Sequence, residues 1–198
     1  MPAPLSAPRL LDSRSQPYWM IAASVLVLVL VPLVAGVGAL RAMAIGAGAT
    51  LCLDAWNLFL ARAFALRSLD YCLLGRLTVR LSRGALNSPA IAAAEAQRGE
   101  CGLGWVAHYG IGASLALAFD QWVVPGWAGA PTLVPALLYG VATVVLPFFV
   151  LQPALGLGVA SSATRRPAQA RLKSLATHAV YGIGLYGSAR VAAWVMAA

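Results

Sequence analysis

Asp54, His108 and His178 each stand inside long apolar runs, where an ionisable residue is expensive to bury. The chain has only two histidines. An imidazole changes charge near neutral pH and can also bind a metal. A carboxylate can take up a proton or a cation. Asn57, one helical turn from Asp54, and Gln152 add neutral polar groups. The candidates for a ligand or proton pathway are therefore Asp54, Asn57, His108, Gln152 and His178. Three uses fit these residue types: hydrogen bonds that tie helices together, a small-solute or proton route, and ligation of haem or a transition metal by His108 and His178. Gly104, Gly112 and Gly182, each about a turn from a histidine, would admit a flat macrocycle, and they suit close helix packing equally well. No cofactor is required by the pattern. No catalytic residue is expected either. Ser161, Ser162 and Thr164 lack a histidine at the spacing of a hydrolase triad. The run Gln152 to Gly158 lacks the Gly-Lys-Ser/Thr of a phosphate loop.

The elements that carry these residues are apolar helices. The sequence is 61% hydrophobic and only 10% charged, whereas about a quarter of a soluble domain is charged. Residues 18–40 hold no charge, and about 20 apolar residues cross a bilayer. The expected fold is an all-α integral membrane bundle with spans at about 18–40, 42–61, 102–123, 132–152 and 175–196. Residues 1–41 form an N-terminal extension with the extra span, and 42–198 form a four-span core. Residues 18–40 can also be read as a signal peptide ending near Val37-Gly38-Ala39, but they are long for that role, and a retained helix is preferred. Pro147 should kink the fourth span.

The net charge of +8 is concentrated between apolar runs, with no nucleic-acid recognition motif beside it. Arg9 and Arg14 precede the first span, Arg62 to Arg98 separate the second and third, and Arg165 to Lys173 separate the fourth and fifth. The connection at Pro125 to Pro131 is uncharged and flanked by Trp122 and Trp127, as at an outer interface. By the positive-inside rule the N-terminus is cytoplasmic and the C-terminus external. At 1.5 Å per residue, His108 lies roughly 9 Å, His178 roughly 5 Å and Asp54 roughly 10 Å from the inner ends of their spans. The polar cluster therefore belongs to the cytoplasmic leaflet. Asp120 and Arg190 each follow a histidine by the same offset, which predicts an interhelical ion pair near the outer interface.

Leu69, Leu73, Leu74, Leu77 and Leu81, interleaved with Arg76, Arg80 and Arg83, predict an amphipathic helix at the inner surface, as a cap over the bundle or a contact with lipid headgroups. Cys52, Cys72 and Cys101 have no metal-type spacing. Cys72 and Cys101 lie in or beside the basic loop, in a reducing compartment, and no disulfide is expected. Two pairs of strings echo one another: Ala49 to Asp54 with Ala142 to Pro147, and His108 to Gly112 with His178 to Gly184. These suggest two parallel repeats of two spans each.

Ser68-Leu69-Asp70-Tyr71, Gly75-Arg76, Gly104 to Tyr109, Pro131 to Ala136, Pro147-Phe148-Phe149, Gln152-Pro153-Ala154 and Arg171 to Leu175 with Thr177-His178 together resemble a bacterial multi-pass membrane family, domain of unknown function 2938, over about residues 42–190. The resemblance implies a four-span core in the bacterial inner membrane and no established activity. Residues 86–89 look unlike that family. The expected partner is the lipid bilayer, with no nucleic acid. The rival to a pathway is a non-catalytic accessory subunit, or a homo-oligomer. Its packing surface would be the small residues around Gly36, Gly38, Gly46 and Gly48.

Overall fold

The computed structural model describes residues 36–66, 68–82 and 91–197, and among them every regular element is helical. The principal helices are α1 (Val37–Phe64), α2 (Tyr71–Ser82), α3 (Glu100–Val123), α4 (Leu133–Ala154) and α5 (Pro167–Ala197). The expected first span falls almost wholly on residues 1–35, outside the described residues, as do Arg67, Arg83 and residues 86–89.

Helices α1, α3 and α4 are long and apolar enough to cross a membrane. Helix α5 is longer, at 31 residues, but it carries Arg171, Lys173, His178 and Arg190 and is less apolar than those three. The side-chain sizes are distributed as in a membrane bundle. Contacts between helices are made by Ala39, Ala42, Ala49, Ala113, Ala116, Ala136 and Ala189, all buried. The larger Leu51, Phe59, Leu138, Phe149, Val150 and Val191 face outward. Without a hydrophobic drive between helices in lipid, association rests on close backbone approach at small residues. A Cβ added to Gly46 would meet Gly112 O and Ala116 of α3 at 2.5 and 2.7 Å. One added to Gly140 of α4 would meet Gly182 of α5 at 2.5 Å. Gly48 similarly lies against Ser188. Gly46 and Gly48 are therefore used inside the bundle, and only Gly36 and Gly38 of the expected smooth surface have open space around them.

Helix α1 packs between α3 and α5, and α5 also packs on α4. At its end Ala65 takes a left-handed conformation and Leu66 N–H returns to Leu60 O, turning the chain toward α2. The leucine pattern is realised in α2, with Leu74 and Leu77 buried, and its apolar face caps the bundle. Helix α2 crosses α3 at two glycines. A side chain on Gly75 would run into Glu100 O, and one on Gly104 into Tyr71 O.

Pro147, which has no N–H to donate, interrupts α4. The helix is regular over Leu133–Ala142, loosens at Thr143, and resumes as a wide π-helical turn over Pro147–Leu151 before Gln152–Ala154.

Three expectations are corrected here. Cys72 and Cys101 form a disulfide. Each stands three residues before a glycine of the α2–α3 crossing, so backbone contact at Gly75 and Gly104 brings both sulfurs to one seam. Trp127 is not an interfacial anchor but a core residue. It packs on Phe119 and donates to Thr132 O, while Trp122 remains exposed. Asp120 and Arg190 do not pair. Asp120 accepts from the Ala128 N–H at 2.7 Å and from Gln121 at 2.9 Å, holding the outer connection. Ala189 is the α5 residue turned into the bundle, which leaves Arg190 exposed. A cation does reach that connection from α1: Arg41 donates to Ala128 O at 2.6 Å.

Candidate functional site

The arrangement at Asp54 starts from α2. The Gly75–Gly104 crossing sets Tyr71 at the head of α2 against the flank of α3, and its hydroxyl donates to Asp54 Oδ1 at 2.7 Å. His108 Nε2 lies 3.0 Å from the same oxygen, and Tyr109 donates to Oδ2 at 3.1 Å. Side chains of α2 and α3 thus converge on one carboxylate of α1. His108 is stacked on Tyr71, with ring centroids 4.1 Å apart, and Trp105 and Tyr109 stand edge-on to it. An imidazolium there would meet a carboxylate and aromatic rings together, both of which attract a cation. Burial, with the Asp54 carboxylate beside it, holds the Tyr71 phenol far above its ordinary range. Asn57 lies beside the same hydroxyl.

His178 is held differently. Thr143, at the loosened turn of α4, spends its hydroxyl proton on Gly140 O at 2.6 Å. Its oxygen therefore accepts from His178 Nδ1, 2.8 Å away. That assigns the proton to Nδ1 and leaves Nε2 a bare acceptor. Gln152, one turn beyond Pro147, donates to Ser174 Oγ at 3.3 Å, while its Oε1 is buried with no partner. Thr177 Oγ1 is likewise buried without a partner. Burial pushes the nearby Lys173 ammonium below its ordinary value.

Both arrangements face one cavity of about 900 Å³. Its lining includes Asn57, His108, Gln152 and His178, with Tyr71, Thr143, Lys173, Ser174 and Thr177. The leucines of α2 close it at the end of the bundle where the basic segments lie. Asp54 sits behind His108 rather than on the cavity wall. The histidines thus share a cavity without bonding to each other. As a pair of ligands to haem or a metal, His108 would have to give up Asp54 at Nε2 or coordinate through Nδ1. Among the described residues no group of three or more His, Cys, Asp or Glu side chains converges as for a metal ion.

The sequence reading passed over four residues. Tyr71 comes from a surface helix, Tyr109 adjoins His108, and Thr143 orients His178. The fourth, Glu100, pairs with Arg76 at 2.7 Å across the α2–α3 seam. Sequence signals existed for the seam. Cys72-Leu73-Leu74-Gly75 and Cys101-Gly102-Leu103-Gly104 share the spacing of a cysteine and a glycine one turn apart.

These features define an all-helical bundle with several membrane-length apolar helices around a largely apolar cavity. The chain belongs to a family described as "Protein of unknown function (DUF2938)", whose model matches residues 43–192. No curated protein and no solved structure matches it.

Proposed function

We propose that this is a multi-pass protein of the bacterial inner membrane whose cavity forms a pathway for a small solute, with protons exchanged at Asp54 and His108. Helices α1, α3, α4 and α5 would cross the bilayer, and residues 18–40 would add a fifth span. At roughly 1.5 Å per residue, α5 has length to spare for a crossing. The arginines between α1 and α3 and between α4 and α5 support a reading in which the cavity end faces the cytoplasm. The observation that carries the reading is the cavity itself. Two histidines, Asn57 and Gln152 from four different helices border one space, with a carboxylate behind one imidazole. In this reading Asp54 is the proton acceptor, and His108 passes the proton between Asp54 and the cavity.

Proteoliposomes loaded with a pH-sensitive dye, under an imposed potassium diffusion potential, test the proton route. Flux should exceed that of empty liposomes and fall by about tenfold or more in Asp54→Asn and in His108→Ala. A wild-type flux no different from empty liposomes, or one unchanged in both variants, overturns the proposal.

The bridge bears on orientation, because disulfides persist where the environment is oxidising. With α2 on the cytoplasmic side, Cys72 and Cys101 are thiols in growing cells and pair on isolation in air. Maleimide labelling of acid-quenched cells reads this directly, and a bridge already formed in vivo would place α2 outside.

A further inference from the structure

Gln152 is 8% exposed and lines the cavity, and its carbonyl oxygen is buried without a partner. A buried acceptor left unpaired is destabilising, so its retention asks for a donor supplied from elsewhere. The atoms around it ask for the same thing. Gln152 is bonded to Ser174, and Thr177 and His178 follow Ser174 by three and four residues on one face of α5. Thr177 Oγ1 has no partner. Thr143 Oγ1 lies 2.8 Å from His178 Nδ1, and with the ring proton donated on that side Nε2 is an acceptor. Two acceptors and a hydroxyl thus belong to one wall of a cavity whose remaining lining mixes the leucines of α2 with polar groups such as Asn57 and His108.

We infer that this wall is a binding site for the head of an uncharged amphiphile bearing hydroxyl donors, its apolar body lying among the leucines of α2. Lys173 on the same wall disfavours a cationic donor, and Gln152 Oε1 and His178 Nε2 disfavour an anion, which would bring only acceptors. Two hydroxyls satisfy all three groups, one donating to each acceptor and one of them accepting from Thr177. The inference rests on the cavity being a solute site, as proposed above, and adds which chemistry it takes.

The test uses the full chain in lipid nanodiscs, with 4-hexylresorcinol as probe and its dimethyl ether as the matched compound that cannot donate. Saturable binding is measured by titration calorimetry above that of empty nanodiscs. The phenol should bind about tenfold more tightly than the ether, the difference expected of one or two net hydrogen bonds. That preference should disappear in Gln152→Leu and in His178→Phe. Because Gln152→Leu removes an unpaired polar atom, its thermal midpoint should equal or exceed that of the wild type, so lost binding is not lost folding. Competition by 1,2-dioleoylglycerol identifies the source as a membrane lipid, and its failure to compete identifies a smaller phenolic compound. Equal binding of phenol and ether overturns the inference while leaving the solute cavity standing. Absence of saturable binding by either overturns it too, and the proton-flux measurement then decides the pathway independently.

Discussion

His108 and His178 stand in two strings that echo one another in sequence, two residues out of step, yet the bundle treats them in opposite ways. His108 is given the Asp54 carboxylate, which two phenols also hold, and the stacked ring of one of them, Tyr71. His178 is given one hydroxyl oxygen whose proton is already committed, the surroundings of a neutral imidazole with one open lone pair. One residue of the echo accounts for the contrast. Where the first half has Asp54, the second has Pro147. The aspartate supplies an ionic partner. The proline supplies none and breaks α4, and the break sets Gln152 toward Ser174 and the cavity. Two walls of one cavity thus hold the same residue type in different ways, one with a carboxylate and one with a hydroxyl.

The largest way to break the contrast is Asp54→Asn. It takes the charge from His108 and presents an amide to three donors. Removing one partner of a mostly buried pair costs on the order of 3 kcal/mol, so the thermal midpoint in detergent should fall by roughly 6–12 °C. A midpoint within a degree of the wild type would mean that the pair contributes nothing to the fold. Glycine substitutions sharpen the contrast by acting on one site at a time. Gly104→Ala pushes against Tyr71 O, and Gly140→Ala pushes against His178 O and Gly182. Each should cost about 1–3 kcal/mol through overpacking. Nitrogen-15 spectra should show Gly104→Ala disturbing His108 and sparing His178, and Gly140→Ala the reverse. If both imidazoles respond to each change, the two walls are a single unit. Thr143→Val is a smaller perturbation, leaving the His178 Nδ1–H without its acceptor at a cost of about 1–2 kcal/mol. It should let the proton move to Nε2, visible as a change of tautomer in the same spectra. An unchanged tautomer would show that Gly140 O or another group holds the proton in place of Thr143. Gln152→Leu is expected to have the least effect on stability, between zero and a gain of about 1 kcal/mol.

Composition and the run lengths of apolar residues were enough to read the helices. The leucine spacing of α2 was legible for the same reason, since 3.6-residue periodicity survives in any single segment. The depth argument grouped Asp54, Asn57, His108, Gln152 and His178 near one end of the bundle, and four of the five border the cavity. Rotation about each helix axis was not legible, because it is set by which glycine meets which backbone across the bundle. That is why Asp120 and Arg190, equal in depth, point to different neighbours. Trp127 was misread on similar grounds. An aromatic beside a proline-rich connection suits an interface until the connection folds back over Phe119. Tyr71 and the Cys72–Cys101 bridge depend on a crossing between segments 29 residues apart, which no local pattern encodes.

Once formed, that bridge changes what it means to cut this chain. Arg98 is exposed and lies between the two cysteines, so a protease cleaving after it would separate residues 1–98 from 99–198 in sequence only. The two pieces would stay one covalent molecule and run as a single band until reduced. The Arg76–Glu100 pair would still hold the same seam. A split version of the protein, expressed as two polypeptides and joined at Cys72 and Cys101 by oxidation on isolation, should therefore keep the same cavity.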